Sequence, residues 1–228
     1  MPLKIKTLSF ALPFHMGSVN SFLVEGERGS ILIDTGSSNC RAAITRELEC
    51  AGCAPGSLKL MLLTHGDFDH IGNAAYLRNQ FSAKIAMHAD DCGMAERGDM
   101  FCNRQKSNFL IRQAAPLLFG FGRSARFQPD LLLDDGFDLS AFEVDARVLS
   151  IPGHSMGSIG ILTGDHDLFC GDLFENNRRP ELNSIMDDLV AARASVEKLR
   201  QFEIQTVYPG HGRPFPMALY LKNKPNAT

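Results

Sequence analysis

The sequence predicts an α/β protein built from two β-sheets packed face to face, with helices on their outer faces. Three observations lead there. Short apolar runs bounded by turn residues fall in two batches, over 3–87 and 131–208, and each batch is followed by a helical pattern. The run LKLMLL at 58–63 is short and almost uncharged, as suits a strand buried on both faces. Side chains able to bind a metal stand at the ends of such runs, where open α/β sheets commonly place their sites.

In chain order, 3–10 and 19–25 (VNSFLVE) read as strands separated by the loop Pro13-Phe14-His15-Met16-Gly17. A third strand at 29–33 ends at Asp34-Thr35-Gly36, and Ser38 or Asn39 can cap a helix running to about Glu49. The strand from Leu58 leads to a polar cluster, a helix over about 71–80 and a strand at 83–87. Residues 89–130 differ from their surroundings: the apolar stretch 108–122 is broken by Pro116 and by glycines. It reads as a helical insertion in a single domain spanning 1–228, and three uses stay open for it: core cover, a lid over the pocket, or a dimer surface. The strand pattern then returns in LLLDDG, FEVDARVLSIPG, SIGILTG and DLFCGD, with a hairpin turn at 164–167. An amphipathic helix over 186–202 offers Leu189, Val190, Val196, Leu199 and Phe202 to the core, and 204–208 forms a last strand. No internal repeat or Pro/Gly/Ser-rich linker divides the chain.

Composition narrows the function. With 44% hydrophobic and 21% charged residues, the 228-residue chain has the make-up of an ordered globular protein. A net charge of −3 argues against a nucleic-acid footprint, which needs a basic face. No apolar stretch approaches the length of a membrane span. The N-terminus, interrupted by Pro13, lacks a signal-peptide pattern, and the six cysteines read as reduced thiols, so a cytoplasmic location is expected. Cys50-Ala51-Gly52-Cys53 has redox or zinc spacing, but no second such pair completes a zinc site, and helix-end cysteines are the simpler reading.

The chemistry concentrates in His65-Gly66-Asp67-Phe68-Asp69-His70. Four imidazole and carboxylate groups within six residues repel and desolvate one another unless a cation compensates them. Three further turns have the same design, a strand ending on a ligand beside a glycine: Ile151-Pro152-Gly153-His154, Phe169-Cys170-Gly171-Asp172 and Tyr208-Pro209-Gly210-His211. Together they supply four histidines and three carboxylates, enough for two metal ions bridged by one carboxylate. His15 reads as a solvated loop residue near the pocket edge, His88 as a helix cap, and His166 as a surface turn residue.

The order HxDxDH, PGHS, GD and PGHG resembles that of the metallo-β-lactamase superfamily of metal-dependent hydrolases, and ILIDTG at 31–36 matches that family's early strand and turn. The resemblance runs from about Val19 to Gly212. It implies a four-layer αββα sandwich of two mixed sheets with the metal site at one edge. It implies His65, Asp67 and His154 around one metal, Asp69, His70 and His211 around the other, Asp172 bridging, and Asp34 orienting ligands from behind. Asp69 would also be catalytic, orienting the nucleophile. Two divalent cations are implied, zinc first; Asp67, standing where the usual HxHxDH motif has its second histidine, admits iron or manganese.

The implied reaction is attack of a metal-bound hydroxide on an ester, thioester or lactone bond of a small molecule. PGHSMGSIGIL and FCGDLFENN are similar to the glyoxalase II-like branch. Only sixteen residues follow Gly212, so the helical region with which that branch grips glutathione is not expected. The alternative is a diiron oxidoreductase close to the flavodiiron proteins, whose motif is HxExDH; it would need a separate electron donor. A non-catalytic member is a third expectation, weakened by the complete ligand count of both half-sites. The partners expected are a small-molecule substrate, no nucleic acid and no membrane, with a second copy of the chain contacting through 108–122 if that stretch is a dimer surface.

Overall fold

A computed structural model describes residues 3–26, 29–104 and 122–222. One six-stranded sheet has the order β1-β2-β3-β4-β5-β6: β1 (Lys4–Ala11), β2 (Ser18–Glu25), β3 (Ser30–Ile33), β4 (Leu58–Leu62), β5 (Lys84–Met87) and β6 (Leu131–Leu132). Its first three strands are antiparallel, and β3 through β6 run parallel. The second sheet has the order β12-β11-β9-β8-β7, with β10 paired to β9. Its strands are β7 (Ala146–Ser150), β8 (Ile159–Thr163), β9 (Asp167–Asn176), β10 (Glu181–Leu182), β11 (Thr206–Gly212) and β12 (Phe215–Pro216). Here β7, β8 and β9 alternate in direction, while β9 and β11 are parallel. Both sheets are therefore mixed.

Side-chain alternation along the strands builds three layers of core. Between the sheets, Phe22, Val24, Ile31, Ile33, Leu60 and Leu62 meet Val148, Ile159, Ile161 and Phe169. On the outer face of the first sheet, Leu23, Leu32, Met61 and Ile85 pack against α1 (Arg41–Cys50) and α3 (Ala74–Phe81) through Ile44, Leu48, Leu77 and Phe81. On the outer face of the second, Leu149, Leu162, Leu168 and Phe174 pack against α5 (Leu189–Leu199) and α6 (Met217–Lys222). The result is an αββα sandwich.

Several local expectations change. The helix placed at 71–80 begins earlier and is broken: α2 (Phe68–Ile71) ends at Gly72-Asn73 before α3. Ser38 and Asn39 lie in a 3₁₀ turn rather than capping α1 with a side chain. Asp188 caps α5 by accepting from the N–H groups of Val190 and Ala191. Leu189 and Val190 consequently face outward, and Val196 and Leu199 face the core. The start of the expected insertion is α4 (Ala89–Arg97), whose Ala95 joins the core outside the first sheet. The stretch 108–122, with the dimer contact expected of it, lies outside the described residues except for Gly122. Among the described residues no helix is long and apolar enough to cross a membrane.

Candidate metal centre

Strand direction brings the ligand turns to one edge. The parallel strands β3 and β4 end there with Asp34 and His65, and β7, β9 and β11, which share one direction, carry His154, Asp172 and His211 there. The two sheets are joined at this edge by a hydrogen bond from the Ile159 N–H to the Thr64 carbonyl, at 2.8 Å. Gly210 has no side chain for a steric reason: a Cβ there would overlap the Asp172 carboxylate and the His70 ring.

All seven candidate ligands come together. Asp172 lies between the two halves, with Oδ1 3.3 Å from His70 Nε2 and Oδ2 3.2 Å from His211 Nε2 and 3.8 Å from His154 Nε2. Asp69 Oδ2 is 3.5 Å from His211 Nε2 and 4.0 Å from His70 Nε2. Asp67 Oδ2 is 3.0 Å from His154 Nε2 and 3.8 Å from His65 Nε2. His65, His154 and Asp172 form one compact set of donors, and Asp69, His70 and His211 another.

Each imidazole is turned the same way. His70 Nδ1 lies 2.8 Å from Asp34 Oδ2, His154 Nδ1 2.6 Å from the Ile185 carbonyl, and His211 Nδ1 2.7 Å from the Ser18 carbonyl. The Thr64 hydroxyl donates to Asp34 Oδ2, which leaves its oxygen to accept from His65 Nδ1 at 3.0 Å. With every Nδ1 committed to an acceptor, the four Nε2 lone pairs face inward, the arrangement by which proteins orient metal-binding histidines. His65 Nε2, His70 Nε2 and Asp172 Oδ1 are buried with no hydrogen-bond partner. Orphaned buried polar atoms are costly, and a cation among them removes that cost, so the residues fit a metal centre.

The electrostatics agree with that need. Burial, and then the neighbouring His70 and His154, hold His65 well below the ordinary imidazole range. Burial opposes charge on His70 and His211, but Asp172 outweighs it, lifting His70 well above its ordinary value and His211 to about 9.

The metallo-beta-lactamase superfamily model matches residues 16–211. The chain belongs to the metallo-beta-lactamase superfamily. It is similar to metallo-beta-lactamase domain-containing protein 1 of Rattus norvegicus, 29% identical over 202 residues that cover 87% of this chain and 68% of that one. It is also similar to acyl-coenzyme A thioesterase MBLAC2 of Bos taurus, 28% identical over 219 residues, 86% of this chain and 74% of the other. For some curated relatives the chain spans less than two thirds of their length, 65% for the Homo sapiens domain-containing protein 1. The crystal structure of TTHA1623 in a di-iron-bound form shares the fold, with a TM-score of 0.74 at 24% identity, covering 96% of this chain and 98% of that chain.

Within this superfamily fold, Asp34 stands where the sequence places it. It adopts a left-handed conformation, φ 57°, which aspartate tolerates better than most residues, and it accepts from the Thr64 N–H and hydroxyl as well as facing His70. His88 caps α4, its Nδ1 accepting from the Asp90 N–H. His15 is exposed, and His166 occupies the β8–β9 turn.

Three groups escape sequence reading. Asp91, on α4, accepts from the Gly66 N–H, the Gly157 N–H and the Ser155 hydroxyl, tying the loop of His65 to the loop of His154. The Asn183 amide donates to Asp172 Oδ2 at 3.3 Å. Arg104 reaches Asp67, with Nη2 2.5 Å from Oδ1. Burial alone would push the Asp67 carboxyl up; Arg104 and His154 instead hold it far below the usual range. No motif flags Arg104 or Asp91, because their partners are distant in sequence.

Proposed function

We propose that the protein is a metal-dependent hydrolase of ester, thioester or lactone bonds in small molecules. The observation that carries this reading is the convergence of four inward-facing imidazole Nε2 atoms and three carboxylates, of which Asp67, Asp69, His154, Asp172 and His211 line a cavity of about 550 Å³. Leu12, Met16, Phe68, Met100, Phe101 and Ile185 give that cavity an apolar wall, suited to an acyl group. The similarity to an acyl-coenzyme A thioesterase supports a thioester among the candidates.

His65, Asp67 and His154 would hold one cation, Asp69, His70 and His211 the other, with Asp172 shared. Such cations lower the pKa of bound water from about 16 to roughly 7 and polarise a carbonyl. The chain's own contribution is orientation. Asp34, Thr64, Ile185 and Ser18 hold the imidazoles, and Asn183 steers Asp172. Asp69, buried at the cavity wall with Oδ2 beside His211, is placed to orient the attacking water and receive its proton. The apolar wall excludes bulk water and seats the acyl part. Zinc is the first expectation; the Asp67 carboxylate also favours harder cations such as iron or manganese.

Elemental analysis of protein purified without added metal, followed by ester, thioester, lactone and phosphodiester substrates, tests this. Turnover of a carbonyl substrate with about two zinc, manganese or iron ions per chain is the expected result. Bound iron with oxygen- or nitric-oxide-dependent turnover and no hydrolysis would replace it with the diiron oxidoreductase reading.

A further inference from the structure

Three buried carboxylates crowd the centre, yet among the described residues only Asp67 meets an arginine or lysine there. Arg104 is 6% exposed at its side chain and is held at every donor group. Its Nε donates to the Met100 carbonyl at 3.2 Å, Nη1 to the His154 carbonyl at 2.8 Å, and Nη2 to Asp67 Oδ1. Nη2 also lies 3.3 Å from His154 Nε2. The two oxygens of Asp67 are thus divided: Oδ1 is taken by the guanidinium, and Oδ2 faces the imidazoles of His154 and His65. A guanidinium anchored this way is a fixed charge, and in a buried site its field reaches every neighbouring group.

We propose that Asp67 and Arg104 act as one unit, a charge-compensated carboxylate ligand, and that Arg104 is the positioning residue that permits an aspartate at this place in the first metal set. This rests on the metal-centre reading given above. The pair contributes one ligand oxygen and no net charge, as a neutral imidazole would contribute one nitrogen and no charge. It also crosses the site, joining Asp67 from the β4 edge to the loop that carries His154.

The consequence is non-additive. Asp67→His alone leaves the buried Arg104 cation facing three imidazoles and a divalent ion without the carboxylate it contacts, so it weakens binding of one of two ions. Arg104→Met then removes the repulsion, and binding returns. Arg104→Met alone leaves Asp67 Oδ1 without its guanidinium partner in the metal-free protein, which lowers its Tm and enlarges the Tm rise that metal produces.

The full chain and the three variants are stripped with chelator and titrated with zinc, reading stoichiometry by elemental analysis, affinity by calorimetry and Tm by circular dichroism. Wild type should bind two zinc ions. Asp67→His should lose at least tenfold in affinity for one of them, and Asp67→His/Arg104→Met should return to within about threefold of wild type. A role in packing alone predicts that Arg104→Met weakens zinc binding in both backgrounds, and that result overturns the proposal. So does an Asp67→His variant that binds both ions like wild type. If Asp67→His does not fold, Arg104→Met decides: a zinc-induced Tm rise no larger than that of wild type overturns the pairing. A wild-type chain that binds no zinc, iron or manganese defeats the metal-centre reading itself, and the proposal with it; two ions in wild type with additive variants defeats the proposal alone.

Discussion

His70 depends on Asp34 for its direction, and Asp34 in turn is held by the Thr64 hydroxyl and N–H. Replacing Asp34 with alanine strands three donors in a dry environment and frees the imidazole to rotate. The expected result is a 10–100-fold loss of affinity for one metal ion, read by calorimetric titration, with stability lowered by about 1–3 kcal/mol. The thiols supply a second prediction at this scale. Cys50 is exposed, whereas Cys40 is buried and its thiol is pushed up to about 11 by burial. Alkylation of the native protein near pH 8, followed by peptide mass spectrometry, should mark Cys50 early and leave Cys40, Cys53 and Cys170 unmodified until unfolding. The candidate ligands were legible at the residue scale because their side-chain chemistry is local to short motifs. Arg104, Asp91 and Asn183 were not, because arginine, aspartate and asparagine in ordinary surroundings carry no signal until a fold supplies the partner.

The turn that carries His154 is seated on α5. Gly153, at φ 146°, lies against the backbone of Ala192, and its carbonyl accepts from the Asp188 N–H that begins the helix. A methyl group at this position meets both an unfavourable backbone conformation and a close-packed helix. Gly153→Ala should therefore lower stability by about 3 kcal/mol in a denaturant titration, since overpacking and strained backbone each cost about 1–3 kcal/mol. Gly122→Ala, which meets no atom within 4 Å among the described residues, should stay within about 0.5 kcal/mol of wild type. Asp91 makes the corresponding link on the other side, from α4 to the loops of His65 and His154. Asp91→Ala removes the acceptor for three buried donors and should lower both thermal stability and zinc stoichiometry together. Element types were readable from periodicity, but ends were less so. Between α2 and α3, Gly72 is closely packed: a Cβ there would overlap the backbone of Phe68 and of Ser38.

At the scale of the whole molecule, the candidate ligands belong to both sheets, so metal affinity and the packing of the sandwich should be linked. A chelator should lower Tm by roughly 10 °C. That shift follows from about 4 kcal/mol of stabilisation at a metal concentration near 1,000 times Kd and about 2–4 °C per kcal/mol for a domain of this size. An unchanged Tm, with metal loss verified by elemental analysis, would separate the centre from the fold. By itself the sequence determined the layers and the candidate ligand types, because a two-residue strand period, an apolar helix face and a strand-end histidine are written in neighbouring residues. Only the tertiary structure decided which nitrogen of each histidine faces the centre, that Asn183 and Asp91 brace the ligand loops, and that Asp67 is shared with Arg104. Those outcomes depend on groups brought within hydrogen-bond reach from remote positions in the chain, and such distances are set by strand direction and packing rather than by any local pattern.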